Sequence, residues 1–598
     1  MRPRDLSRGR PVTVMTSITH YFLPAACFLL LTAFFLLLPD LRSCSLRDRQ
    51  SDSKRLDRVD ALLMAVLTLA YGAVAFMRLG NTVAPVTFVN MENRDAELTL
   101  DLGGGTVSRL MVYTGVGIGA YDITYTTDGT DLYNLATLDQ SHADDLKWHE
   151  VELDYLCTGG KLRIHGYGNV WLGEVVALTE DGRTVPLKSE DEALCDEQDL
   201  APEKQTFLNS SYFDEIYHAR TAWEHLNRVS PYEITHPPLG KIIIGLGISL
   251  FGMTPFGWRF SGTLFGVLML PILYVFAKKL FGGRWAPAAC TALMATDFMH
   301  FVQTRIATID VYAVFFILLM YLFMYRFISG EGKRYLALSG IAFGLGAASK
   351  WTCFYAGAGL AVIWALWVIG SFRRGEMDFK GFAKNCGFCG VFFILIPVLI
   401  YDLSYLPYGL AEGKTNPFSP AYIKMVLDNQ SYMFNYHSGL VATHPYSSHW
   451  YQWLLDIRPI LYYLDYLPDG RHVSFGAFVN PVLCWGGLLS LFVLLYLALA
   501  RHDRPSQFIL LGYLAQLLPW VLVPRLTFAY HYFPCTVFLA LALGRCFDLM
   551  ERNVKKGRRY VGLFALLSLA VFVLFFPCLA GLPVRSGILR SWLPTWPF

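Results

Sequence analysis

The sequence predicts a polytopic α-helical membrane protein carrying an inserted β-sandwich domain of jelly-roll type. Three observations carry that prediction. Of 598 residues, 54% are hydrophobic and only 16% charged, more apolar surface than a soluble chain of this length buries. From Phe256 onward, apolar segments of bilayer-spanning length follow one another closely. Between Met77 and Asp214 the pattern instead alternates with period two and is cut by glycine turns. The net charge of +3 is close to balance, so nothing in it suggests a nucleic-acid partner.

Residues 21–38 are long and apolar enough to cross a bilayer, and no small-residue cleavage site follows them. They are read as an extra span within an N-terminal segment, residues 1–59. Arg2, Arg4, Arg8 and Arg10 would then lie outside, against the positive-inside rule; a start at Met15 or a non-spanning first segment removes the conflict. Residues 60–81 hold the first core helix, and residues 82–205 the β domain. There, Tyr121, Ile123 and Tyr125 alternate with Asp122 and Thr124, and Val151, Leu153 and Tyr155 with Glu150, Glu152 and Asp154. Gly103-Gly104-Gly105, Asp128-Gly129, Gly159-Gly160 and Asp181-Gly182 mark the turns. Trp148 and Trp171 suit its core better than a sugar-stacking surface. Cys157 and Cys195 share this region and could pair, two free thiols being the equal alternative. A redox role for Cys386 and Cys389 lacks the βαβ context it needs.

Residues 206–401 hold a polar loop and spans near 257–278, 285–303, 311–327, 335–349, 352–370 and 387–401. Residues 402–477 form an aromatic-rich loop, and residues 478–598 hold spans near 478–500, 507–523, 528–548 and 561–581. The total is about eleven spans after residue 60, or about twelve with the first segment. Lys278-Lys279 with Arg284, Lys333-Arg334, Arg373-Arg374 with Lys380, Arg501 with Arg504, and Lys555-Lys556 with Arg558-Arg559 fall on one side of the series. The positive-inside rule makes that side cytoplasmic. The β domain and the loops at 213–241 and 402–477 therefore face outward, in a plasma-membrane protein whose site is extracytoplasmic.

The chemistry gathers on that outward face, around Phe213 to Lys241, FDEIYHARTAWEHLNRVSPYEITHPPLGK. Asp214 and His218, four residues apart, share a helix face. Ser230-Pro231 ends that helix, and Pro237-Pro238 turns the chain after His236. Ionisable groups clustered at the rim of a helical bundle point to function. Arg259, Arg305, Lys350, Arg525 and His531 stand at outer ends of spans, where a cation either holds an anion or only snorkels to the interface.

These residues also carry a resemblance. The Asp214-Glu215 pair with Tyr217-His218, the HPPLGK run from His236, FGWRFSGTLFG from Phe256, TRIATID from Thr304, ASKW from Ala348 and RLTFAYHYFP from Arg525 resemble the dolichyl (polyprenyl)-phosphate-mannose protein O-mannosyltransferases. The similarity runs from about Leu208 to about Leu582. HPYSSHWYQWLLDIRPILYY, from His444 to Tyr463, resembles the family's tryptophan-rich segment, with Tyr451 and Leu454 where Trp and Pro are commoner. The β-trefoil domain of eukaryotic members is absent, as in a prokaryotic-type member, and the β domain before Asp214 is a departure.

The resemblance implies a GT-C fold and an inverting glycosyltransferase that moves mannose from a polyprenyl-phosphate donor to Ser/Thr hydroxyls of translocated proteins. Asp214 is then the catalytic base, with Glu215, about 100° round the helix, orienting the loop or a cation. His218, His236, Arg259, Arg305, Asp310, Lys350, Trp351, Arg525 and His531 are the substrate-binding candidates. No metal ligand is assigned and no cofactor is firmly expected; the lipid-phosphate sugar is a substrate, and room is left for a divalent cation. The expected partners are polyprenyl-phosphate-mannose, the membrane and a Ser/Thr-containing protein acceptor delivered by the secretion machinery. A lipid or glycan acceptor is the alternative. A transporter fits less well, because charges sit at span ends and no internal repeat is visible. An oligosaccharyltransferase is disfavoured by the absence of a WWD signature. The β domain is expected to be self-contained and to govern acceptor choice.

Overall fold

The computed structural model describes residues 14–46, 51–91, 97–585 and 592–597; Arg2, Arg4, Arg8, Arg10, Arg47 and Arg49 lie outside them. Among the described residues, nine helices are long and apolar enough to cross a membrane, beginning with Arg58–Phe76 and ending with Gly557–Phe575. Two of the expected spans, 335–349 and 285–303, fall outside those nine. Lys333–Ser349 has 17 residues. The segment 285–303 is broken into Trp285–Ala295 and Phe298–Gln303, because buried Asp297 caps the second piece, accepting from His300 N at 3.1 Å and Asn480 N at 3.0 Å. The expected span at 387–401 is part of a continuous helical run, Phe379–Ala411, which contains a π-turn at Val391–Leu395. The first helix, α1 (Val14–Leu36), packs on the bundle through Phe34, whose ring lies 4.7 Å from Phe564 and 5.7 Å from Phe547.

The second helix, α2 (Arg58–Phe76), opens on a capping box, with the Asp57 side chain accepting from Asp60 N and the Asp60 side chain from Asp57 N. It leads into the β domain. The strands there, beginning with β1 (Val89–Asn90) and β2 (Leu98–Asp101), form one eight-stranded antiparallel sheet. Two long strands, β3 (Thr106–Thr126) and β6 (Lys161–Leu178), pair along most of their length. Strand β5 (Lys147–Thr158) pairs with the first half of β3 and β4 (Tyr133–Gln140) with the second. The sheet folds over because the β3–β6 register shifts between Val112 and Gly117. A Cβ on Gly117 would lie 1.7 Å from the Asn169 carbonyl oxygen, so only glycine fits this bend. Leu110 and Val112 from one side of the shift, with Tyr121 and Ile123 from the other, then share one core. Trp148 is buried and Trp171 half-buried. Cys157 and Cys195 are free thiols, which answers the pairing question from sequence.

The helices that carry the polar loop follow: α3 (Glu215–Asn227), α4 (Leu239–Phe251) and α5 (Pro255–Phe281). The segment 402–477 is more ordered than a loop. It holds a helix at Pro420–Gly439, started by Ser419 accepting from Tyr422 N at 3.3 Å, and an antiparallel hairpin, Ile460–Tyr466 with Arg471–Ala477.

Candidate active site

Phe213 adopts φ 50°, a left-handed conformation that costs a non-glycine residue about 1–3 kcal/mol. Its ring is held 4.5 Å from Tyr462 and 6.3 Å from Tyr530. The sharp turn places Asp214 at the start of α3 with a side chain that makes no capping bond. That carboxylate instead lines a cavity of about 360 Å³, together with His218, His236, Lys350, Arg525, Tyr530 and His531. His218 follows Asp214 by one turn, its N–H donating to the Asp214 carbonyl at 3.2 Å. The four-residue spacing thus puts both side chains on the cavity face.

Glu215 points the other way. Its carboxylate is fully buried and accepts from Arg259 Nε and Nη2, each at 2.7 Å, from Ala307 N at 3.0 Å and from Tyr212 N at 3.3 Å. Arg259 spends its remaining N–H groups on the carbonyls of Leu79, Phe207 and Ser210 at 2.7–2.9 Å. Arg305 donates to the carbonyls of Ala75, Met77 and Arg78, closing the end of α2. Neither arginine nor Glu215 lines this cavity: the two arginines, expected to bind substrate, hold carbonyls and a carboxylate, and Glu215, expected to orient the loop or a cation, holds Arg259. They clamp the polar loop, α2 and α5 together, and a buried pair of this kind is costly to break.

Lys350 does reach the cavity, donating to Asp310 at 2.7 Å with its ammonium 5.6 Å from the Tyr530 ring. Asp310 stands behind it. Trp351 also lies outside the lining and donates to the Tyr401 hydroxyl at 3.0 Å. Arg525 lines the cavity, and among the described residues no carboxylate pairs with it. Tyr530 packs against Phe528 and His531, with centroids 5.6 and 4.5 Å away.

Several lining residues escaped sequence reasoning. Glu233 sits inside the quoted stretch, but nothing local distinguishes it from a solvated acid. It accepts from Thr235 N at 2.8 Å and His236 Nδ1 at 3.1 Å and is paired with buried Lys241. His437 binds the Thr235 carbonyl at 2.8 Å, and Asn429 donates to Ile234 O at 3.0 Å, so the Pro420–Gly439 helix holds this loop. Tyr432 and Tyr436, at helical spacing, were the available signal.

The electrostatics separate roles. Burial in the recess, reinforced by the Asp310 carboxylate and opposed by Lys350, pushes Asp214 up to about 7. Burial would also raise Glu233, but Lys241 and His236 outweigh it and hold that carboxyl well below its usual range. Burial drives His218 down to about 3 against the pull of Glu233, and His437 down to about 4. The cavity therefore holds a carboxylate poised to gain or lose a proton near neutrality, neutral imidazoles and two cations.

Two family models match the chain: "Dolichyl-phosphate-mannose-protein mannosyltransferase" over residues 235–401 and "C-terminal four TMM region of protein-O-mannosyltransferase" over residues 422–596. Together they span more than half of it. The chain belongs to the protein O-mannosyltransferase family. Among curated relatives of this mannosyltransferase, the polyprenol-phosphate-mannose–protein mannosyltransferase of Mycolicibacterium smegmatis is 25% identical over 457 residues, 65% of this chain and 88% of the relative. That of Mycobacterium tuberculosis is 25% identical over 471 residues, 65% of this chain and 87% of the relative. The solved S. cerevisiae protein O-mannosyltransferase Pmt1–Pmt2 complex bound to the sugar donor superposes with a TM-score of 0.56 at 16% identity, over 65% of this mannosyltransferase and 90% of that chain. The β domain lies outside both family-model ranges.

Proposed function

We propose that the chain is an inverting glycosyltransferase that moves mannose from a polyprenyl-phosphate donor to a Ser or Thr hydroxyl of a protein at the extracytoplasmic face. The observation that carries this reading is Asp214, a carboxylate free of structural bonds, in one cavity with Lys350 and unpaired Arg525. In the transfer, the acceptor oxygen attacks the anomeric carbon as its proton passes to Asp214. The bond from that carbon to the phosphate oxygen breaks, and the electron pair leaves with the polyprenyl phosphate. Arg525 and Lys350 stabilise the charge that develops there, Arg525 with a planar fork that matches phosphate. Neutral His218 and His437 donate or accept hydrogen bonds at the sugar, and Tyr530 offers a ring face to it.

The names of the curated relatives and the basic loops on the opposite side support donor and orientation respectively. Transfer tested with purified protein, polyprenyl-phosphate-mannose and a Ser/Thr peptide, beside lipid and glycan acceptors, checks the reading. Hexose should appear on the peptide hydroxyl by mass spectrometry. Transfer to a lipid or glycan alone would replace the protein acceptor.

A further inference from the structure

Residues on both sides of the β domain, where the chain arrives from α2 and where it leaves toward α3, converge on one point of strand β6. Glu174 on β6 meets Asp196 and Glu197 in the departing segment, with one oxygen of each within 4.8 Å of the others. The arriving segment is bound to the same group. Glu197 Oε2 accepts from Val86 N at 2.8 Å, Thr87 N at 3.3 Å and Thr87 Oγ1 at 2.9 Å, while Asp196 Oδ1 accepts from Thr87 Oγ1 at 3.0 Å. Glu174 Oε2 accepts from Glu197 N at 2.9 Å.

These bonds satisfy one oxygen of each carboxylate. What they leave is the informative part. Glu174 is 0% exposed, and its Oε1 is buried with no hydrogen-bond donor. Among the described residues no Lys or Arg forms a salt bridge with any of the three carboxylates. A buried carboxylate without donor or counter-charge, facing two further acids, is strongly unfavourable unless something positive sits between them. We propose that Glu174, Asp196 and Glu197 bind a divalent cation of the calcium class, which locks the arriving and departing segments of the β domain to β6. The donor set is all oxygen and mostly anionic, which suits a hard cation and no softer metal. Half-exposed Glu197 and exposed Asp196 leave open positions for water, as calcium's six to eight ligands require.

The role is architectural and separate from transfer. The site lies where the β domain joins the membrane-embedded part, and not among the residues that line the Asp214 cavity. The test uses the full-length protein in detergent, stripped with EDTA and titrated with calcium chloride or magnesium chloride in calorimetry and thermal unfolding. Calcium should bind at about one ion per chain, with a dissociation constant no weaker than about 1 mM, and raise the melting temperature. E174Q and, at an exposed position, D196N should each weaken binding at least tenfold and abolish the calcium-dependent shift. D214N should retain both, which separates this site from any cation at the catalytic cavity. The proposal is overturned if the stripped protein binds neither cation up to about 10 mM. It is equally overturned if E174Q and D196N bind with unchanged affinity, or if E174Q raises the melting temperature with no calcium response in the parent, the behaviour of a carboxyl that carries a proton.

Discussion

Replacing Asp214 with Asn tests the base assignment and its electrostatic setting in one experiment. The amide keeps the shape of the side chain and cannot take the proton, so transfer should fall by about 10²–10⁴. The pH profile discriminates further. With Asp214 held near 7 by burial and by Asp310, it is about one-tenth ionised at pH 6 and about nine-tenths ionised at pH 8. Transfer by the parent protein should therefore rise about tenfold between those values and level off above them, while the residual D214N rate stays flat. Stability should move oppositely. A folded-state pKa above the unfolded value of 3.8 gives a contribution that is full below about pH 4 and lost as pH rises through about 7. D214N should consequently melt higher than the parent at pH 8, by a margin that narrows as the pH falls to 5 and toward 4. The assay is the initial rate of mannose transfer from polyprenyl-phosphate-mannose to a Ser/Thr peptide in detergent, at saturating donor, alongside thermal unfolding at the two pH values. A pH-independent parent rate, or a D214N rate within tenfold of it, would remove Asp214 as the base.

Arg525→Ala should raise the donor KM and lower kcat together, with Arg525→Lys recovering part of the loss, because a lysine keeps the charge without the fork. Lys350→Met should lower kcat and also shift the pH profile upward, since the charge that opposes Asp214's rise is gone; unchanged rate and profile would make this lysine a partner of Asp310 only. Arg259→Met should cost about 3–5 kcal/mol of stability by stranding buried Glu215, read as a lower melting temperature and poor recovery of folded protein. Asp145→Asn breaks a buried 2.6 Å pair between the β domain and Arg220 of α3, one and a half turns beyond Asp214. It should reduce transfer to peptide and to protein acceptors equally; a loss confined to protein acceptors would instead support the expectation that the β domain governs acceptor choice.

The sequence alone determined the properties that live in short windows. Apolar runs of bilayer length, basic loops on one side and period-two alternation from Tyr121 to Tyr155 each follow from whether a stretch prefers lipid, water or a pleated surface. The spacing of Asp214 and His218 likewise fixed their common face before any partner was known. The tertiary structure decided everything that depends on which distant group meets a side chain. Arg259, Arg305 and Arg525 look alike at the ends of apolar segments, yet two are consumed by carbonyls and a carboxylate as many as 230 residues away, and the third opens into the cavity. Asp214 and Glu215 are neighbours in sequence but face opposite environments, because consecutive helical residues diverge by about 100°. The fold of the sheet turned on a register shift at Gly117, which leaves the local alternation intact while moving one half of β3 over the other. The joining of Glu174 to Asp196 and Glu197, and of Asp145 to Arg220, belongs to the same class. A cation's or carboxylate's role is set by the counter-charge and dielectric around it, and those are assembled only when segments remote in the chain pack together.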